Sequence, residues 1–307
     1  MREHGGNLDA AMERFGGTRA QWLDLSTGIN PIPYPLPALA PDAWTALPDQ
    51  SAQDALVAAA RQFWEVPERV AILPAPGVSA LIAQIPRLAP RGHVHIPQPS
   101  YNEHAASFRA AGWTLSSQEP TAKVIVHPNN PDGRIWSAAD LETRLMIVDE
   151  SFCDALTGTS LVSHTTRPGT LVLKSFGKFW GLAGLRLGFA IGAPDLIAAL
   201  AELLGPWPVS GPALAIGAKA LADRAWAERA CARLAQEAER LDGIMQAKGA
   251  ELVGGTPLFR LYRVASAAEM QARLARAHIW SRIFSYSETW IRLGLPPANS
   301  WDRIRKA

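Results

Sequence analysis

Cysteine, lysine and net charge are all scarce in this sequence. Only two cysteines occur in 307 residues, Cys153 and Cys231, and their spacing matches neither a disulfide framework nor a metal-ligand set. Each reads as a small buried hydrophobe, so no metal is expected. The formal net charge is +2, which gives no electrostatic footprint for nucleic acid or an anionic membrane. No apolar run is long enough to span a bilayer, and the polar opening Met1–Asn7 lacks the apolar core of a signal peptide. A cytoplasmic chain is therefore expected, with a small molecule as its partner. Lysine is confined to six positions, Lys123, Lys174, Lys178, Lys219, Lys248 and Lys306, which narrows the search for a lysine nucleophile.

What is present in quantity is apolar. Hydrophobic residues make up 48% of the chain, enough for a sizeable core at a length where one large domain often acquires a second. Six prolines between positions 31 and 48 remove amide donors and fix φ, so residues 1–48 read as an extended arm rather than a helix or sheet. From residue 49 to 210 short apolar strands alternate with helices. The strands fall at Val70–Leu73, Val94–Pro97, Lys123–His127, Leu145–Asp149, Thr170–Lys174 and Leu187–Ile191, with helical segments at Ser51–Trp64, Val78–Leu88 and Glu103–Ala111. That alternation predicts an α/β domain with a largely parallel buried sheet, whose ligands collect at the carboxyl ends of the strands. Residues 211–307 read as a smaller α+β domain. It opens on a long amphipathic helix from about Pro212 to Lys248, followed by strands at Leu258–Val264, Ile279–Phe284 and Thr289–Leu293 around a helix at Ala267–Ala277.

The densest chemistry lies in Leu173–Gly188, where a strand runs into a glycine-rich turn carrying Ser175, Lys178 and Arg186. A lysine amine becomes nucleophilic when burial or nearby positive charge lowers its pKa. Lys178 has aromatic and glycine neighbours, and Ser175 and Arg186 could grip one phosphate. A glycine-rich loop with a surface lysine is the bland alternative. The glycines lack the G-x-G-x-x-G spacing of a dinucleotide fingerprint.

This stretch resembles the S-F-x-K-x-x-G-L-A-G-L-R-x-G signature of the fold-type-I pyridoxal-phosphate enzymes, above all the histidinol-phosphate aminotransferase branch. The resemblance implies a fold-type-I transferase architecture, a large domain plus a smaller one, and a homodimer. It implies that Lys178 holds the cofactor as a Schiff base while Ser175 and Arg186 bind its phosphate. Asp149, at the end of an apolar strand, would pair with the pyridine nitrogen; alone it reads equally as a cap or turn residue. Asn130, in the turn His127–Gly133, would donate to the phenolic oxygen, and Tyr101 would stack on the ring. Gly77, Val78 and Ser79 look like a phosphate-binding turn at a helix N-terminus. Where such enzymes commonly carry a tyrosine three residues after the aspartate, this chain has Phe152.

Two arginines extend the pattern to a substrate. Arg292 occupies the place of an arginine that clamps an α-carboxylate, and Arg282 that of one serving a distal phosphate. The opening segments His4-Gly5-Gly6-Asn7 and Asp24–Pro31 resemble those of the threonine-phosphate decarboxylases of cobalamin biosynthesis. Those enzymes convert L-threonine O-3-phosphate to (R)-1-amino-2-propanol O-2-phosphate and carbon dioxide. By that resemblance His4, Asn30, Asn130, Arg282 and Arg292 contact substrate. An aminotransferase acting on histidinol phosphate or another acidic amine is the alternative. A non-catalytic cofactor sensor is a third, weaker reading.

Overall fold

In a computed structural model of the chain, residues 4–307 are described. Seven strands form the central sheet: β1 Ala71–Ala75, β2 His93–His95, β3 Thr114–Leu115, β4 Ala122–Val126, β5 Leu145–Asp149, β6 Thr170–Ser175 and β7 Gly188–Gly192. Their order is β1-β7-β6-β5-β4-β2-β3, and β7 alone runs antiparallel to its neighbours. Both faces are covered, which is why these strands read as unbroken apolar runs. Along β5, Leu145 and Ile147 enter one hydrophobic cluster while Met146 and Val148 enter the other. The period-2 alternation of a strand is thus spent entirely on core.

A second, antiparallel sheet is built from Glu251–Thr256, Phe259–Arg263, Arg282–Phe284 and Ser287–Gly294. Helix Pro194–Leu204 and strand Glu251–Thr256 add to the elements expected from sequence.

Three expectations need correction. The single helix from Pro212 to Lys248 is two, Gly211–Ala222 and Arg224–Gln246, broken at Asp223. The Asp223 carboxylate accepts from Trp226 N at 2.9 Å and caps the second helix, a local bond that competes with continuing the first. The arm is not wholly irregular. Helix Leu8–Phe15 is capped by Asn7 and stopped at Gly16, and Leu23–Asp24 pairs in parallel with Ile279–Trp280. The prolines begin only at residue 31, so nothing bars regular structure before them. The expected strand Ile279–Phe284 is split at Ser281, one half pairing with the arm and the other joining the second sheet.

Beyond Asn30 the arm runs across the turn between β6 and β7. Asn30 N donates to Lys178 O at 3.0 Å and Tyr34 N to Trp180 O at 2.9 Å. Gly181 makes this approach possible, because a Cβ there would lie 2.7 Å from Pro33 Cα and 2.9 Å from Asn30 O. Its φ of +71° also suits glycine.

Candidate active site

Asp149 is the last residue of β5 and is almost fully buried, at 2% exposure. His104 Nε2 lies 2.8 Å from its Oδ2, and Ser151 donates to its Oδ1 through both N and Oγ. Burial pushes this carboxyl up, but His104 and Ser151 together outweigh burial and hold it below the ordinary carboxylate value. An ionised carboxylate inside a cavity is a partner for a cationic nitrogen.

Strand β6 ends at Ser175 and β7 begins at Gly188, the two residues being paired. Ser175, Lys178 and Arg186 therefore all sit in one excursion between adjacent strands. Lys178 is half-buried, its Nζ 5.4 Å from the centroid of the Phe152 ring. Burial pushes its amine down to about 8, with the positive charges of Arg292 and Arg186 adding to the effect and Asp149 opposing it. Lys174 differs in every respect. It is buried in ion pairs with Glu150 at 2.6 Å and Asp154 at 3.1 Å. Burial would lower its pKa, yet those carboxylates hold it well above the usual lysine value, so it stays protonated.

Arg186 takes the left-handed backbone conformation, φ 55° and ψ 50°, which is costly for a residue with a Cβ. Its guanidinium donates to Ala183 O at 3.0 Å and lies against Gly77. Gly77 has φ +81°, which suits glycine, and a Cβ there would come within 2.6 Å of Arg186 Nη2 and displace the guanidinium. Gly77 precedes helix Val78–Gln84, and Gly77, Val78 and Ser79 face the same cavity as Ser175, Lys178, Arg186 and Asp149. This inner cavity measures about 140 Å³.

An outer cavity of about 230 Å³ shares Tyr101, Asn130, Phe152 and Lys178 with the inner one. His4, Arg282 and Arg292 also line it, and no carboxylate does among the described residues. Arg292 is 6% exposed, yet its Nε has no hydrogen-bond partner among the described residues. Its other nitrogens donate to Ser26 O at 2.7 Å and to Asn130 Oδ1. That second bond leaves Asn130 Nδ2 as the free donor. Burial, then Arg282, lowers Arg292 to about 10, while Tyr286 and Asp24 oppose them. A buried guanidinium without a carboxylate partner calls for an anion. Arg282 Nη1 donates to His4 O at 3.1 Å, and His4 Nε2 lies 2.9 Å from Glu103.

Asn30 is the candidate that the structure places elsewhere. It is 2% exposed and lines neither cavity; its Nδ2 donates to Phe179 O at 2.8 Å, and its Oδ1 accepts from Arg233 at 2.7 Å. The amide is consumed in holding the lysine turn. Ser26 and Thr27 reach the site from the Asp24–Pro31 segment, whereas His104, Ser151, Phe284 and Tyr286 belong to it without a sequence signal. His104 is buried on helix Asn102–Ala110, and its place beside Asp149 is set by the fold alone. His127, Glu150 and Cys153 place ligand-type atoms within 4.8 Å of one another. The first two are already engaged, His127 with Trp136 N and Thr159 O and Glu150 with Lys174.

The profile of the family "Aminotransferase class I and II" matches residues 23–307. A threonine-phosphate decarboxylase of Sinorhizobium is 40% identical over 98% of this chain and 95% of its own length. One from Pseudomonas aeruginosa is 40% identical over 100% of this chain and 97% of its own. In fold, the chain is similar to the crystal structure of histidinol-phosphate aminotransferase from Sinorhizobium meliloti in complex with pyridoxal-5'-phosphate. There the TM-score is 0.83 at 19% identity, covering 98% of this chain and 93% of that one.

Proposed function

The chain belongs to the aminotransferase class I and II family, and from that premise we propose that it decarboxylates L-threonine O-3-phosphate in cobalamin biosynthesis. The products are (R)-1-amino-2-propanol O-2-phosphate and carbon dioxide, and the cofactor is pyridoxal phosphate. The outer cavity carries the reading. Two arginines, a histidine and Lys178 line it with no carboxylate among the described residues, an environment for a short substrate bearing two anionic groups.

The inner cavity fits the cofactor on its own geometry. Gly77 and the left-handed Arg186 form a cradle for a phosphate, which Ser175 and the turn Gly77–Ser79 complete. Lys178 would hold the cofactor covalently, Asp149 its ring nitrogen and Asn130 Nδ2 its phenolic oxygen. Tyr101 would cover one face. Phe152 brings no hydroxyl to this wall, which leaves Asn130 as the neutral donor. When bound, the cofactor supplies an electron sink conjugated to the substrate Cα.

The side chains do the rest. Arg292, with Asn130 beside it, holds the substrate carboxylate; Arg282 and His4 hold the phosphate. Anchoring both ends of so short a molecule restricts rotation about the bond from nitrogen to Cα, and that orientation selects the bond to break. Asp149 would hold a proton on the ring nitrogen of the bound cofactor. Lys178, whose lowered pKa of about 8 makes its ammonium a readier proton donor than an ordinary lysine, would return a proton from Nζ to Cα.

We further infer a homodimer. Leu36, Trp44, Leu47 and Trp207 are 59–68% exposed and line a groove of about 690 Å³ beside Leu182 and Leu185 of the lysine turn. Four large apolar side chains left open side by side support a covering partner. A cytoplasmic location agrees with two free cysteines; no helix among the described residues is long and apolar enough to cross a membrane. The boundaries near residues 48 and 210 are retained as proposed domain limits.

The test supplies threonine phosphate alone and follows carbon dioxide and the phosphorylated amine. Turnover that starts only when 2-oxoglutarate is added makes the protein an aminotransferase and rejects the proposal.

A further inference from the structure

Three successive carbonyls of the lysine turn are each bound by the N-terminal arm. Lys178 O accepts from Asn30 N at 3.0 Å, Phe179 O from Asn30 Nδ2 at 2.8 Å, and Trp180 O from Tyr34 N at 2.9 Å. Asn30 supplies two of the three donors, and its Oδ1 is held by Ile32 N at 3.0 Å and Arg233 Nη2 at 2.7 Å. Arg233 is itself steadied by Glu237 one turn along helix Arg224–Gln246. It lines neither the inner nor the outer cavity.

The choice of residue is specific. An amide carries its donor and its acceptor on separate atoms, so Nδ2 can reach a carbonyl while Oδ1 accepts from a guanidinium on the other side. Aspartate would keep the acceptor and lose the donor. Fixing the three peptide planes that follow Lys178 restrains its backbone and the direction in which its Cβ leaves it, and hence where Nζ sits relative to Phe152, Asp149, Arg186 and Arg292.

We propose that Asn30 and Arg233 are positioning residues for Lys178, a clamp from the long helix through the arm to the reactive lysine. In the assay of turnover this rests on the decarboxylase reading; the labelling experiment below needs no substrate and no cofactor.

The full-length protein without cofactor is treated with formaldehyde and cyanoborohydride across a pH series, and methylation is read by peptide mass spectrometry at Lys178 and at exposed Lys306. In the parent protein the Lys178 midpoint should lie near 8. In Arg233→Ala and Asn30→Asp a loosened turn lets Nζ reach water, so that midpoint should rise by about 1 unit or more while Lys306 stays put. Arg233→Lys, which keeps a cationic donor, should fall between. With the cofactor loaded, kcat should fall about ten- to a hundredfold at unchanged KM for threonine phosphate. Arg233 is 25% exposed, so its loss is tolerable to the fold, and melting curves check this; Arg233→Lys carries the test if Arg233→Ala does not fold. An unmoved Lys178 midpoint overturns the proposal. A KM increase confined to the phosphate ester, with that midpoint unchanged, returns Asn30 to the substrate. A shifted midpoint in a protein that fails to decarboxylate keeps the clamp and rejects only the reaction.

Discussion

Lys174 and Lys178 stand four residues apart and differ in their neighbours. Two carboxylates hold the first protonated, whereas burial beside two arginines brings the second down to about 8. Below pH 8 the neutral fraction of the Lys178 amine falls about tenfold per unit. Cofactor capture by the empty protein should therefore climb with pH and level off above about 8, rather than climbing on toward 10.5. Lys178→Ala should abolish turnover, and borohydride reduction of the loaded parent should mark a peptide containing residue 178. Marking at Lys174 would contradict the assignment. The arginines should separate by substrate. Arg292→Ala should impair every α-amino acid, and Arg282→Ala chiefly those with a distal phosphate, each by about ten- to a hundredfold in kcat/KM, since a charge-assisted contact is worth about 1.5–3 kcal/mol. Equal losses on threonine and its phosphate ester for Arg282→Ala would dismiss the distal role. At this scale the sequence was informative where the signal is local, as in the run from Ser175 to Arg186. It misplaced Asn30, because what an amide binds is set by residues 149 and 203 positions away. It was silent on His104, a histidine in a helix like any other until Asp149 is seen beside it.

Among the elements, the central strands were legible because burial on both faces writes them as unbroken apolar runs; their edges moved by a residue or two. The helix break at Asp223 was not, since one aspartate in an amphipathic pattern reads as a surface residue until its carboxylate is found on Trp226 N. The turn between β6 and β7 depends on Gly181. Gly181→Ala forces a Cβ against Pro33 and demands φ +71° of alanine, a cost of about 1–3 kcal/mol. The expected outcome is a lower melting temperature together with weaker retention of cofactor. A variant that melts lower but holds cofactor as the parent does would uncouple the arm from the site.

At the scale of the molecule, the exposed apolar groove predicts assembly. Trp44→Glu places a charge in its middle and should shift the protein toward monomer in sedimentation velocity, with activity lost in step if the covered face supports the lysine turn. A parent that sediments as a monomer at micromolar concentration would remove the dimer from the account.

The long reach of the arm also bears on how the protein is made. Chains leave the ribosome N-terminus first, so Asn30 is exposed long before the residues it binds exist. Phe179 lies 149 positions downstream and Arg233 lies 203, so one half of the clamp waits for nearly three-fifths of the 307-residue chain and the other for about three-quarters. Throughout that interval the segment from 31 to 48 must wait unpartnered in water. Its six prolines suit the wait: they withhold the amides that a stray strand would pair with, and they hold the backbone extended without the help of tertiary contacts. Cofactor capture is then among the last events of biogenesis, and a nascent chain halted before residue 233 should expose Lys178 without the geometry to use it.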